Sequence, residues 1–152
     1  MKKTIIIMLI SNFVFSQNVE TMKNLDTIYF KYTGNEEFVK KVERNNEINV
    51  NYKIYRIKYY NILFIYPSSK IDTISSENFI NTQYVNNFFL NRNKSKIIDV
   101  EFFNNFKSCL DCNSFVYSLK KRVFYVIDIT EKKKGKIPIY RVNPIMNCPS
   151  VE

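Results

Sequence analysis

The sequence contains no His, no Trp and no Ala, and only two Gly among its 152 residues. Without an imidazole, the chain cannot form a Ser-His-Asp triad, a Cys-His dyad or a His-ligated zinc site. The two glycines, Gly34 and Gly135, stand too far apart to form a GxGxxG or a GxxxxGK[ST] loop, so nucleotide binding through those loops is excluded. No motif indicates a cofactor, and we expect none.

Aromatic residues are abundant by contrast. The chain contains 13 Phe and 11 Tyr, and 45% of its residues are hydrophobic. This content is sufficient for a packed core, so the chain is not expected to be disordered. The length falls within the range of about 100–200 residues that is typical of one domain, and no linker rich in Gly, Pro or Ser divides it. We therefore expect a single globular domain.

Residues 1–16 have the layout of a cleavable export signal. A basic Lys-Lys pair precedes an apolar run over residues 4–10, and the small residue Ser16 stands before Gln17. The apolar run is too short for a transmembrane helix, which takes about 20 residues. A lipoprotein would carry Cys where this chain has Gln17. We expect an exported protein, periplasmic or extracellular and not a lipoprotein, with its single domain over residues 17–152.

This signal resembles the export signals of Bacteroidetes-type bacteria, in which a small residue followed by Gln at the cleavage point is frequent. The rest of the chain is similar to the short, basic exported proteins of that group that are rich in Asn, Lys and Tyr. The resemblance implies export and carries no activity with it. Two Asp-Thr-Ile triplets, which begin at Asp26 and Asp72, match the acceptor motif for O-linked glycans associated with that group. Two strand starts after a turn explain the triplets more simply.

The chain is basic. Removal of residues 1–16 leaves 21 basic and 14 acidic residues, a net charge of +7. Such a surface favours anionic neighbours such as lipid headgroups, lipopolysaccharide, acidic glycans or extracellular DNA, with an attraction that weakens as salt rises. Two local concentrations are predicted to lie at strand ends or turns: Lys120, Lys121 and Arg122, and Lys132, Lys133, Lys134 and Lys136. Alternatively, these residues only keep turns soluble. Nucleic acid is the less expected partner, because no recognised nucleic-acid motif accompanies the aromatic and basic residues of the chain.

Three cysteines, Cys109, Cys112 and Cys148, lie in the exported part of the chain. An oxidising compartment favours a disulfide, and a bridge from Cys148 to either of the other two would tie the C-terminal tail down and leave one thiol. Cys109 and Cys112 also form the CxxC motif of thiol-disulfide proteins, which needs a helix under the first sulfur. The flanking residues instead predict a loop. Three cysteines without His would need an added carboxylate to hold zinc, so no metal site is predicted.

Alternating apolar residues predict a strand-rich domain. Residues 25–33 place apolar side chains on one face. Residues 50–66 are too long for one strand of about 5–6 residues, so we expect two strands there or a bend near Tyr60 and Asn61. Three more strands are predicted: residues 115–119, 123–130 and 136–142. The last two pair as a hairpin that turns at Gly135, and Pro138 indicates that the final strand lies at a sheet edge.

Helical signals are short. Residues 36–44 fit either one or two helical turns or an exposed loop, and residues 82–90 fit a helix. Asp99 is a favoured N-cap for a short helix over residues 100–106. Residues 143–152 contain two prolines and are predicted to form an irregular tail. The sequence thus predicts an α+β fold with an antiparallel sheet, one to three short helices and a C-terminal β-hairpin.

Two patterns bear on chemistry. Asp128 stands in an apolar strand, where a buried unpaired charge would be costly, so we expect it to be exposed and to face a base such as Arg141 across the hairpin. Tyrosines alternate with basic residues along residues 50–66, as in a stacking platform for sugars or bases. Any half-buried strand rich in Tyr has the same pattern.

The sequence therefore predicts a non-enzymatic binding or structural component of the cell envelope or exterior, and it assigns no catalytic residue. Two alternatives remain open. One is a thiol-disulfide protein that acts through Cys109 and Cys112. The other is a binder of anionic polymers that acts through the two basic clusters.

Overall fold

The computed structural model of the protein describes residues 19–45, 51–58, 62–66, 82–104, 109–119 and 122–146. The strands within these ranges are β1 (Thr27–Tyr32), β2 (Val39–Asn45), β3 (Asn51–Ile57), β4 (Ile62–Tyr66), β5 (Gln83–Val85), β6 (Ile97–Ile98), β7 (Val123–Asp128) and β8 (Ile137–Met146). The helices are α1 (Val19–Lys23), α2 (Asn87–Arg92), α3 (Val100–Asn104) and α4 (Cys109–Leu119), and single 3₁₀ turns cover Lys94–Lys96 and Ile129–Glu131. The predicted strand-rich α+β class is confirmed.

The described strands form one sheet in the order β2-β3-β4-β8-β7-β1-β6, with β5 paired beside β8. The sheet is mixed, since β1 runs parallel to both β6 and β7 while the other pairs are antiparallel. The long β8 joins two halves of the sheet. It pairs with β7 along one side, and along the other side with β5 at its beginning and β4 at its end.

Several predicted elements are confirmed. In β1, Ile28, Phe30 and Tyr32 are buried on one face, as the alternation predicts. Residues 50–66 divide into β3 and β4; the bend expected near Tyr60 lies outside the described residues. The predicted hairpin joins β7 to β8.

The caps and turns also follow local sequence. The β7–β8 connection turns at Lys134 and Gly135, whose φ angles of 48° and 79° are those of a type I′ turn. Asp99 caps α3, because its Oδ1 accepts a hydrogen bond from the Glu101 N–H at 3.1 Å.

The prediction for residues 82–90 is only partly right. These residues, predicted as one helix, contain β5 followed by the start of α2.

Two segments were predicted wrongly because distant contacts decide them. Residues 36–44 contain the strand β2, which aligns with β3 along its whole length; the i,i+4 spacing of Phe38 and Val42 fits a helix, but pairing with β3 outweighs it. Residues 115–119, predicted as a strand, belong to α4, which packs against α1. Packing overrides the β-propensity of this aromatic segment.

The prediction that the final strand lies at an edge is also wrong, since β8 is central. The pairing of β8 with β7 begins at Ile139, so Pro138 lies outside it and aligns only with Tyr84 of β5. Pro138 has no N–H to donate, and its position outside the β7–β8 pairing means that no hydrogen bond between these two strands is lost. β8 also continues through Met146, into the segment predicted as an irregular tail; residues 147–152 lie outside the described ranges.

The sheet curls around the larger of two hydrophobic clusters. The rings of Tyr32 on β1 and Tyr55 on β3 lie 5.3 Å apart, although three strands separate β1 from β3 in the sheet order. Within the curl, the rings of Phe64 and Phe124 stack at 4.8 Å. A smaller cluster on the opposite face of the sheet includes Ile127 and packs against Leu90 of α2.

Candidate functional site

Five charged side chains gather where β2 meets the end of β7. We call them the ion cluster: Lys41, Glu43, Lys53, Asp128 and Glu131. The first three come from the paired strands β2 and β3, and the two others come from the end of β7 and the 3₁₀ turn that follows it. The cluster therefore links the first strand of the sheet order to a strand near its other end.

Asp128 is fully buried. Its Oδ2 accepts a hydrogen bond from the Tyr55 hydroxyl at 2.7 Å and lies 2.8 Å from Nζ of Lys41, and its Oδ1 accepts from the Thr130 N–H at 3.0 Å. The prediction of an exposed Asp128 facing Arg141 is wrong. Arg141 is exposed and aligns with Tyr125, one of the residues that point to the other face of β7.

Lys41 is the centre of the ion cluster. Its Nζ lies 2.8 Å from both Asp128 and Glu43, and it also pairs with Glu131. Burial acts against the charged form of Lys41. The hydrogen bonds to the three carboxylates outweigh that effect and hold the pKa of Lys41 well above its ordinary value.

Glu131 accepts hydrogen bonds from Lys41, Lys53 and the Tyr140 hydroxyl. Partial burial disfavours its charge, but these three donors prevail and lower the pKa of Glu131 to about 2. Lys53 also lies 3.0 Å from Glu43 and 4.8 Å from the centre of the Tyr140 ring. Hydrogen bonds from Lys41 and Lys53 lower the pKa of Glu43 in the same way.

The electrostatics of the ion cluster favour a structural role. Burial and the adjacent Asp128 raise the pKa of Tyr55, and burial and the bond to Glu131 raise the pKa of Tyr140. General acid–base catalysis needs a group whose pKa lies near the working pH. Each of these shifts moves a pKa away from neutrality, so Lys41, Glu43 and Glu131 keep their charges and Tyr55 and Tyr140 keep their protons at neutral pH.

A second cluster lies at the β7–β8 connection. We call it the basic turn: Lys132, Lys133, Lys134 and Lys136, all of which are exposed. It adjoins two exposed aromatic residues, Tyr84 and Phe88, with relative exposures of 63% and 71%. Nζ of Lys132 lies 3.5 Å from Oδ1 of Asn87, the residue before Phe88. Sequence reasoning predicted the basic turn and missed the aromatic pair.

The other predicted basic cluster does not form a comparable surface within the described residues. Lys120 and Lys121 lie outside them. Arg122 is half-buried, with its guanidinium 3.3 Å from Asp26 and donating to the Lys23 carbonyl at 2.6 Å. Arg122 therefore ties the start of β7 to α1 and the approach to β1.

The CxxC motif starts the helix α4 rather than a loop, which corrects the prediction for this segment. Cys112 is fully buried in the larger hydrophobic cluster. The side chain of Cys109 and the whole of Cys148 lie outside what the structure describes. The disulfide pairing and a thiol-disulfide activity stay predictions.

The remaining sequence patterns find structural roles where the structure describes them. Tyr55 turns into the core and Tyr66 packs 4.9 Å from the Tyr140 ring, so these two tyrosines do not form an exposed platform. The first Asp-Thr-Ile triplet is a strand start, since Thr27 begins β1, and the second lies outside the described residues.

Comparison of the chain with protein-family models, with curated proteins and with solved structures found no match. Within the described ranges, no helix is long and apolar enough to span a bilayer. Among the same residues, no three or more Cys, Asp or Glu side chains are grouped so that they could hold a metal ion.

Proposed function

We propose that this chain is a non-enzymatic exported binding protein whose basic turn holds an anionic component of the cell envelope or exterior. The observation that carries the proposal is the concentration of four exposed lysines in one short hairpin connection. A dense cluster of cations attracts anionic partners and raises their local concentration.

The backbone holds the basic turn in one conformation. The N–H of Lys133 donates to the carbonyl of Lys136 at 2.9 Å, and the reverse bond has the same length. Lys134 and Gly135 close the turn with positive φ angles. A fixed backbone lowers the entropy that is lost when the lysines engage a partner.

The lysines of the basic turn are not neutralised by the acidic residue that precedes them. Glu131 stands directly before Lys132 in sequence, but its carboxylate is bound by Lys41, Lys53 and Tyr140. The positive charge of the turn is therefore available to an external anion.

A salt-dependent binding assay tests the proposal. Heparin serves as the soluble anionic polymer, and the test variant is Lys133→Gln/Lys136→Gln, which retains the Lys132 contact and the turn residue Lys134. We expect the slope of log affinity against log salt to fall by about two, or one per lysine removed.

The matched control is Lys40→Gln/Arg44→Gln, which removes the same charge from two exposed positions on the face of β2 opposite Lys41. The proposal predicts a smaller loss of heparin affinity for the control than for the turn variant. Heparin binding that does not change with salt concentration, or equal losses of affinity in the two variants, would contradict it.

A further inference from the structure

We infer that the basic turn, Tyr84 and Phe88 together form a membrane-docking surface that binds the headgroup layer of an anionic lipid bilayer. The inference rests on the proposed function and deepens it by naming the source of the anionic charge. Lysines beside exposed aromatic side chains match a bilayer surface, where phosphate groups lie directly above an apolar layer.

The sheet register places the aromatic pair next to the basic turn. Tyr84 aligns with Pro138, two residues after Lys136. Phe88 follows Asn87, which contacts Lys132. The cations and the rings therefore lie at one end of the sheet, with Tyr84 on the face of the larger hydrophobic cluster and Phe88, on α2, beside the face of the smaller one.

The helix α2 is anchored by its other residues and leaves Phe88 outside. The Phe89 ring packs edge-on against Tyr29, with 5.4 Å between ring centres. Leu90 packs against the smaller hydrophobic cluster. The Asn86 side chain caps the helix by accepting from the Phe89 N–H at 3.0 Å. These contacts hold Phe88 at 71% exposure on an ordered backbone.

A bilayer and a soluble polyanion engage this surface differently. Each lysine near an anionic leaflet contributes about 1 kcal/mol, which is about fivefold in partitioning. A soluble anionic polymer contacts the lysines alone, whereas a bilayer also binds the Tyr84 and Phe88 rings at its interface. The aromatic residues therefore distinguish the two partners.

The first measurement is sedimentation of the purified protein with vesicles of phosphatidylcholine and phosphatidylglycerol, with phosphatidylcholine vesicles for comparison. We expect binding to the anionic vesicles, a loss of at least fivefold in Tyr84→Ser/Phe88→Ser, and unchanged retention of that variant on heparin. Lys133→Gln/Lys136→Gln should lose about 25-fold on vesicles. Tyr117→Ser is the matched control, because Tyr117 on α4 is also 71% exposed.

The second measurement uses the absence of Trp from the chain. In Phe88→Trp, all indole fluorescence comes from position 88, so its blue shift and its quenching by brominated lipid report insertion at that point. We expect both signals with anionic vesicles and neither with heparin. Tyr117→Trp, the matched control, should show neither with vesicles. This variant retains an aromatic ring and does not rely on a destabilising truncation.

The outcomes distinguish failure of the membrane inference from failure of the proposed anion-binding function. Heparin binding that depends on the basic turn, without binding to anionic vesicles, overturns the membrane inference and leaves the proposed function standing. Vesicle binding that the aromatic substitutions do not change also overturns the inference. If Lys133→Gln/Lys136→Gln binds heparin and vesicles as the unsubstituted protein does, both proposals fail.

Discussion

Substitution of Lys41 tests whether the ion cluster holds the curled sheet together. Lys41→Met keeps an unbranched side chain of similar length and removes the cation that lies 2.8 Å from the buried Asp128. Asp128 then keeps its bonds from Tyr55 and Thr130 but loses this counter-charge. We expect a large loss of stability with the overall fold retained.

The magnitude follows from the geometry. At an effective dielectric constant of about 20, two unit charges at 2.8 Å attract by about 6 kcal/mol, most of which desolvation offsets. Removal of one partner of a buried pair costs about 3–5 kcal/mol because the other charge stays buried. The three remaining hydrogen bonds to Asp128, one from Tyr55 and two from Thr130, place the expected cost near the lower end, at about 3 kcal/mol. For a chain of this size, that corresponds to a fall in Tm of about 10 °C.

Thermal unfolding followed by circular dichroism at neutral pH measures the effect. The matched control is Lys40→Met, since Lys40 is exposed on the opposite face of the same strand; its Tm should move by less than about 2 °C. In Lys41→Met/Asp128→Asn, the unpaired negative charge of Asp128 is also removed. The double variant should therefore recover part of the lost stability, with a coupling energy of about 2 kcal/mol. A Lys41→Met protein as stable as the control, or strictly additive substitutions, would refute the reasoning.

Two further predictions concern the same region. The lowered pKa of Glu131, about 2 against an unfolded value of about 4.3, means that its stabilisation is present above the unfolded value and disappears as the pH falls towards 2. The urea midpoint of Glu131→Gln should therefore be lower at neutral pH and decline less between about pH 5 and pH 2; parallel profiles would contradict this. Gly34 and Gly135 both have positive φ, but a Cβ at Gly34 would lie 2.6 Å from the Thr130 methyl carbon while one at Gly135 meets nothing within 4 Å. Gly135→Ala should cost about 1–2 kcal/mol and Gly34→Ala at least 1 kcal/mol more in urea unfolding, and equal costs would refute the contact.

Features governed by a few adjacent residues could be predicted from the sequence. The alternation in β1, the Asp99 cap and the turn at Gly135 each depend on local preferences that no distant contact reverses here. The basic turn follows from the same hairpin, because its lysines belong to the connection itself.

Features governed by distant contacts could not be predicted from the sequence. Alternation places Asp128 on the same side of β7 as Phe124 and Val126, but the curl of the sheet determines that this side faces inward. The ion cluster unites residues as far apart as Lys41 and Glu131, separated by 90 positions. Once β2 is recognised as a strand, Lys41 and Glu43 fall on one face, and that is the signal the sequence offers. The exposure of Phe88 depends on how α2 docks, which local patterns do not encode.

The central position of β8 sets the order in which the sheet can be completed. β4, β5 and β7 all pair with this strand, which is the last of the described strands along the chain. The two halves of the sheet therefore stay separate until β8 has been synthesised and docked, and such long-range pairing is slow to form. A chain that ends before Ile137 leaves the pairing sides of β4 and β7 open. Open strand edges template association between chains, so such a truncation is expected to aggregate rather than to persist as a smaller fold.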